Sequence, residues 1–213
     1  NHGLRAEADA EAEQVQAYAL ERGVDYVGGK IDVEQVREAE HLTLEEAARK
    51  VRYQFLFEKG RSIGAQAVAV AHTADDQVET ILLNLLRGAG LAGLKGMLYR
   101  TLPTPWSHEI PLVRPLLGTW RTEVLAYVLG RGYTPVFDAS NLDVTYARNR
   151  LRHELIPILE AYHPGIRQRL WQTGEVLRED YLYIREQANL AWETCVLSTG
   201  ASGVVLARPL CLA

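Results

Sequence analysis

Ala65-Gln66-Ala67-Val68-Ala69-Val70-Ala71-His72-Thr73-Ala74-Asp75-Asp76-Gln77-Val78-Glu79-Thr80 is the stretch that decides the fold. Its first half, Ala65–Ala71, is a near-continuous run of small apolar residues, which predicts a strand covered on both faces. Its second half turns polar and then takes on helical periodicity, predicting a helix from near Ala74 to Arg87. In open parallel sheets, ligands bind beyond the carboxyl ends of the strands. The turn at His72 therefore stands where a site is expected.

Upstream, Ala8, Ala12, Val15, Ala19 and Leu20 recur at helical spacing, so Ala6–Arg22 reads as an amphipathic helix closed by Gly23. Asp25–Val33 reads as a short strand, weakened by Gly28-Gly29. Thr43 followed by Glu46 is a capping box, and a long helix is predicted from there to about Ser62. Downstream, Gly88, Gly90, Gly93 and Gly96 break the helical pattern into a loop. Ile110–Leu117 reads as a strand interrupted by Pro111 and Pro115. Thr119–Arg131 reads as a helix with Thr119 as its N-cap. This alternation predicts a parallel sheet wound by helices. After Pro135 the character changes to two helical runs, about 145–160 and 165–195, with no strand between them. The chain is expected to divide into an α/β part, 1–137, and a helical part, 138–213.

Composition bounds the class. The chain has 213 residues, 47% hydrophobic and 23% charged, which excludes a disordered or fibrous protein. No apolar run approaches the ~20 residues of a membrane span, and the first residues are polar. Cys195 and Cys211 are the only cysteines, too far apart in sequence for a Cys-x-x-Cys knuckle or redox pair. A cytoplasmic protein without a membrane contact is the expectation. The net charge of −4 hides an asymmetry: residues 1–50 carry a balance of −6 and residues 146–170 one of +3. A local basic stretch can hold phosphate on an acidic chain, although a solvated helix face reads the same way.

Three segments carry candidate chemistry. His72, Asp76 and Glu79 are spaced four and three apart, which gathers them on one helical face, with Asp75 beside them. Acidic groups in a first turn also simply match the helix dipole. In the functional alternative the cluster orders a nucleotide, its Mg²⁺ or a cationic substrate. The second segment, Arg87 to Met97, holds Gly88, Gly90 and Gly93, whose backbone suits close approach to phosphate, with Arg87 and Lys95 supplying charge. It follows a helix rather than a strand, so it is no dinucleotide fingerprint, and a plain helix stop reads the same way. The third runs from Asp138, Ser140 and Asn141, all turn and cap formers, to Arg148-Asn149-Arg150-Leu151-Arg152. Arg148 and Arg152 share a helical face, a spacing that can grip successive phosphates.

Taken in order, these motifs resemble the tRNA(Ile)-lysidine synthetase family. The residues that carry the resemblance are Asn1–Arg5, Ala47–Tyr53, His72–Thr80, Arg87–Met97, Arg114-Pro115-Leu116, and Asp138-x-Ser140-Asn141 leading to Arg148-Asn149-x-x-Arg152. They are collinear with the family to about residue 195. The resemblance implies an α/β ATP-pyrophosphatase fold (adenine nucleotide alpha hydrolase-like), a parallel sheet wound by helices, followed by a helical segment. It implies ATP-dependent adenylation of the wobble cytidine of tRNA(Ile) with a CAU anticodon. The amine of L-lysine then displaces AMP at carbon 2 of the base, and decoding shifts from AUG to AUA.

Carried onto this chain, the resemblance makes Asp76, Glu79 and Arg87 candidate catalytic residues. His72, Gly88 and Gly90 become candidates for ATP, and Asp76 a candidate ligand of Mg²⁺. Asp75, Asp138, Asn141, Arg148, Asn149 and Arg152 become candidates for tRNA or substrate. Asp76 or Glu79 is expected to hold the lysine or the metal, with His72 orienting the cluster. The family's phosphate loop, Ser-Gly-Gly-x-Asp-Ser, is expected upstream of Asn1 and does not occur in these 213 residues, so the chain alone is expected to be inactive. Two other readings stand beside this one: ATP-dependent tRNA thiolation by a related fold, against which the distant cysteines argue, and an inactive fragment that only binds tRNA.

Overall fold

The computed structural model describes residues 8–103, 105–135, 143–200 and 203–207. The predicted roles of Asp138 and Asn141 fall outside these residues. Two compact units interleave along the chain: Asn1–Val70, Arg100–Arg114 and Gly132–Phe137 in the first, and Ala71–Tyr99, Pro115–Arg131 and Asp138–Ala213 in the second. Among the described residues no helix is long and apolar enough to cross a membrane.

In the first unit, helix α1 spans Ala8–Glu21 and stops at Gly23, which adopts a φ of 65°. The strand expected over Asp25–Val33 is absent. Residues 24–32 run without ladder partners among the described residues, and a Cβ on Gly29 would lie 2.9 Å from the Phe55 ring. Asp32, read as part of that strand, caps a helix instead. Its Oδ1 accepts from the amides of Glu34 at 3.0 Å and Gln35 at 3.2 Å, opening α2 at Val33–Glu40.

The Thr43–Glu46 capping box is present and starts α3, Leu44–Ser62. The backbone and hydroxyl donors of Thr43 hold the Glu46 carboxyl below its ordinary pKa. A depressed carboxyl stabilises the fold above its unfolded pKa and loses that contribution as pH falls through the folded value, so this cap weakens in acid. Val33, Ala47 and Val51 join α2 to α3 in one buried cluster.

The deeper face of α3 buries Tyr53 and Phe57 against Val68, Ile110 and Leu112. These last residues belong to the sheet: β1 is Val68–Ala69, β2 Arg100–Thr101 and β3 Leu112–Val113, in the order β1-β3-β2. β1 and β3 pair in parallel, as alternation predicts, with Val68 opposite Leu112. β2 adds an antiparallel edge, with Thr101 opposite Leu112. β1 is shorter than the apolar run of Ala65–Ala71, and only Val68 is buried while Ala69 is exposed, so the expected cover on both faces is not found. The expected strand Ile110–Leu117 contracts to Leu112–Val113, flanked by Pro111 and Pro115, two prolines without an amide to donate.

The second unit begins with α4, Ala74–Leu86, as predicted. Thr73 Oγ1 accepts from the Asp76 amide, while Asp76 Oδ2 accepts from both the amide and the hydroxyl of Thr73, each at 2.8 Å. The glycine segment is not wholly loop, since Leu91–Leu94 forms the short α5. Helix α6 spans Arg121–Gly130, and its N-cap is Trp120 rather than the expected Thr119. The Trp120 amide donates to Glu123 Oε2 at 2.7 Å.

The two predicted helical runs are present. The first comprises α7, Ala147–Arg150, a π-helical turn at Leu151–Leu155, and α8, Ile156–Tyr162. Pro157 accounts for the wide turn: it has no amide for the carbonyl of His153, and its ring crowds that carbonyl. Then α9 runs from Ile166 to Cys195 and leads into a hairpin of β4, Val196–Gly200, and β5, Gly203–Leu206. The core of this unit is Val78 and Leu82 of α4 against Leu151 and Ile156, flanked by Trp120, Leu170 and Trp171. Burying each of these four aliphatic side chains is worth about 1.5–3 kcal/mol.

Thr73→Ala removes the hydroxyl that both gives and takes at the α4 cap. It is expected to lower stability by about 1–2 kcal/mol, read from urea denaturation midpoints, with Thr73→Ser close to wild type. An Ala variant as stable as wild type would deny the cap its role.

Candidate active site

The first two turns of α4 carry three acidic side chains, Asp75 and Asp76 in the capped first turn and Glu79 in the next, and arginines from three other parts of the second unit meet them. Asp75 Oδ2 accepts from the backbone amide of Arg121 at 2.8 Å, so it caps α6. Its Oδ1 takes Arg167 Nη1, from the start of α9, at 3.2 Å. Asp76 Oδ1 lies 3.6 Å from Arg121 Nη2 and 3.9 Å from Arg152 Nη2. Glu79 is 1% exposed, and its Oε1 accepts from Arg152 Nε at 2.7 Å. Burial opposes the charge of Arg152, but the hydrogen bond and charge of Glu79, joined by Asp76 and Asp75, outweigh it and hold the guanidinium above its ordinary pKa. Arg148 reaches Thr80 Oγ1 from Nη2 at 3.4 Å. Arg167 is braced in turn by Glu160, whose Oε1 lies 3.5 Å from its Nε.

The predicted residues thus divide. Asp75, Asp76, Glu79 and Arg152 come together in one ion-pair hub, with Arg148 one contact away at Thr80. Asn149 donates from Nδ2 to the Asp143 carbonyl at 2.9 Å and so shapes the turn ahead of α7. His72 is half-buried directly before the Thr73 cap. Arg87 is the exposed C-cap of α4, about 16 Å along the helix axis from Asp76 at 1.5 Å per residue. Gly88 and Gly90 lie with it at that far end.

Much of the backbone of the glycine segment is already bonded within the unit. The amides of Gly88, Ala89, Gly93, Leu94, Lys95 and Gly96 already bond to carbonyls within the segment or to the end of α4, and the Met97 amide bonds to Gln77 Oε1. Gly88 is needed for its φ of 73°. At Asp76 both oxygens face donors of this chain, Thr73 at Oδ2 and the Arg121 and Arg152 guanidinium groups near Oδ1. One acceptor stays open: Glu79 Oε2 is buried with no hydrogen-bond partner among the described residues.

Thr73, Arg121, Glu160 and Arg167 were not singled out from the sequence. A Thr-x-x-Asp spacing signals the cap, as Thr-x-x-Glu did at α3. The two arginines give no local signal, because their partners lie 46 and 92 residues away.

This fold and sequence define the class. The chain belongs to the PP-loop domain family, which matches residues 1–159. Over 206 residues it is 39% identical to the tRNA(Ile)-lysidine synthase of Geobacter sulfurreducens, covering 96% of this chain and 42% of that protein. It is 44% identical over 152 residues to the tRNA(Ile)-lysidine synthase of Novosphingobium aromaticivorans, covering 71% of this chain and 45% of the relative. The chain therefore spans about two fifths of the length of these relatives. Among solved structures, the U34-tRNA thiolase NcsA from Methanococcus maripaludis superposes with a TM-score of 0.62 at 16% identity, over 84% of this chain and 60% of that one, a likeness of fold.

Proposed function

We propose that the protein carrying this chain makes lysidine: it adenylates the wobble cytidine of tRNA(Ile) with ATP and joins L-lysine to the base, releasing AMP and pyrophosphate. The observation that carries this reading is 39% identity to a tRNA(Ile)-lysidine synthase over 206 residues of the chain. ATP is the co-substrate, and Mg²⁺ accompanies it without a step assigned to Asp76. The two-step chemistry needs positioned charges rather than a covalent nucleophile on the enzyme.

In this reading the hub recognises the cationic substrate. Glu79 offers its open oxygen to an ammonium group, and Asp76 adds a second negative charge one helical turn earlier. Arg152 fixes the Glu79 carboxylate in place through its 2.7 Å hydrogen bond from Nε. Asp75, through Arg167 and the Arg121 amide, holds α9 and α6 against the start of α4. His72 orients the turn. Arg148 and Asn149 stand on the tRNA side, with Asp138 and Asn141 ahead of them in sequence.

The test is ATP-dependent transfer of labelled lysine to tRNA(Ile) with a CAU anticodon, using the full-length protein. Asp76→Asn, which a first helical turn tolerates, is expected to lower single-turnover lysine transfer by about 10²-fold, the size of one lost charge-stabilising contact. A wild-type protein that transfers sulfur and no lysine would replace this reading with thiolation. Wild-type rates in both Asp76→Asn and Glu79→Gln would return the carboxylates to helix stabilisation.

A further inference from the structure

The hub pairs its charges internally; a second set of cations in the same unit does not. Lys95, at the end of α5, has its Nζ 4.7 Å from the centre of the Tyr181 ring on α9, and donates to the Gly96 carbonyl at 3.4 Å. Arg185 follows Tyr181 by four residues, one turn along α9, and is exposed. Neither Lys95 nor Arg185 has an ion-pair partner among the described residues. By contrast, Arg178 of the same helix is held by Glu175 at 2.6 Å and Glu179 at 2.8 Å. Burial, and next the charge of Arg185, hold the Lys95 ammonium below its ordinary pKa. Two neighbouring cations thus stand without an anion to relieve them.

Their surroundings specify the kind of anion. The face of α9 that packs inward through Leu170, Trp171 and Gly174 continues, at helical spacing, through Arg178, Tyr181, Arg185, Asn189 and Trp192. No acidic residue falls on that stripe. Trp192 is half-exposed. Cations alternating with aromatic rings, Tyr181 half-buried and Trp192 exposed, suit a ligand that carries phosphates and flat bases. Lys95 is also not free to wander. The fully buried Gln77 donates to the carbonyls of Lys95 at 3.3 Å and Met97 at 3.1 Å, and accepts from the Met97 amide at 2.8 Å. Gln77 sits between Asp76 and Glu79, so the base of the Lys95 side chain is fixed to the same turn of α4 that builds the hub.

We propose that Lys95 and Arg185, with Tyr181 between them, form a contact for the RNA sugar–phosphate backbone that is held in register with the carboxylate–arginine hub. This inference rests on the proposed function for the identity of the RNA and extends it to residues outside the hub. Arg178, neutralised by its two glutamates, supports the stripe and takes no phosphate.

The experiment measures binding of the full-length protein to an anticodon stem–loop RNA across a salt series. Lys95→Gln and Arg185→Gln are each expected to weaken binding three- to tenfold at moderate salt. Each should also reduce the log–log salt slope by about 0.7–0.9, one phosphate contact apiece. Lys95→Arg should retain the slope. Because Arg185 is exposed, its variant folds irrespective of what Lys95→Gln does to the loop. Unchanged slopes in both Gln variants overturn the proposal. Tighter binding of a polyglutamate probe than of RNA, lost in the same variants, also overturns it in favour of an acidic protein partner. Lysine transfer by the wild-type protein is scored separately. Reduced slopes without any transfer would support the RNA contact while removing lysidine synthesis. Transfer with unchanged slopes would do the reverse.

Discussion

Arg152→Ala is expected to destabilise the protein by about 3–5 kcal/mol, because it leaves the Glu79 carboxylate buried without its cation. Glu79 is 1% exposed, and its only hydrogen bond among the described residues is the 2.7 Å contact from Arg152 Nε, while Glu79 Oε2 is already open. Arg152→Lys keeps the charge but gives up the directed Nε–H donor and the reach to Asp76, so it should recover only part of the loss. The pair can be separated from its surroundings with a double-mutant cycle. Glu79→Leu combined with Arg152→Met removes both charges and should be markedly more stable than Arg152→Ala alone. Urea unfolding of the wild type, Glu79→Leu, Arg152→Met and the double variant closes the cycle and gives the coupling. A cost below about 1 kcal/mol for Arg152→Ala would mean that the pair behaves as an exposed surface bridge.

Gly96→Ala is expected to cost about 2–4 kcal/mol, most of it through a residue that Ala never replaces. At φ 66° an alanine pays roughly 1 kcal/mol for the left-handed backbone alone. The added Cβ would also lie 2.6 Å from Gln77 Oε1 and 2.7 Å from its Cδ. The Gln77 amide must then shift from the two carbonyls and one amide it clamps, and a buried polar group left unsatisfied costs about 1–3 kcal/mol. Gly64→Ala is the matched control. Its φ is 64°, but nothing lies within 4 Å of the added Cβ, so only the backbone contribution should appear. Hydrogen exchange at the Met97 amide should rise in Gly96→Ala and stay unchanged in Gly64→Ala. Equal losses in the two variants would show that Gln77 does not clamp the segment.

The parts of the fold that were legible in the sequence are those written in local chemistry. The Thr43–Glu46 box, the start of α4 and the stop at Gly23 each depend on residues a few positions apart, and each is found in the structure. Asp25–Val33 was misread because a β-like composition makes a strand only where a neighbour supplies a ladder, and here Asp32 finds two helix amides instead. Helix α2 was missed because its eight residues carry only Val33 and Val36 as large apolar side chains, too few to establish a period. The two-residue β2 has no sequence pattern of its own.

The site was legible to the same extent. The acidic turn and the Arg148–Arg152 spacing are visible in the sequence, the acids as either helix stabilisers or a cation site and the arginines as either a solvated face or a grip on phosphate. The structure instead sets Arg152 against Glu79 across 73 residues of sequence. No local rule pairs groups that far apart, and only the packing of α4 against the segment that follows α7 brings them together.

The wide turn at Leu151–Leu155 sets the reading frame of this part of the surface. Each residue of an α-helix advances the face it presents by about 100°. A five-residue closure in place of a four-residue one therefore behaves as a phase shift between what lies before it and what lies after. Arg148 and Arg152 point where they do relative to Ile156 and Leu159 because of that shift, and the core contacts of the later residues are what hold the phase. Removal of Leu155 would leave the charge of the segment unchanged. It would still turn the arginines out of step with α4 by more than a quarter of a revolution. For this segment the length of the chain, counted to the single residue, is as much a determinant of charge placement as the identity of the side chains.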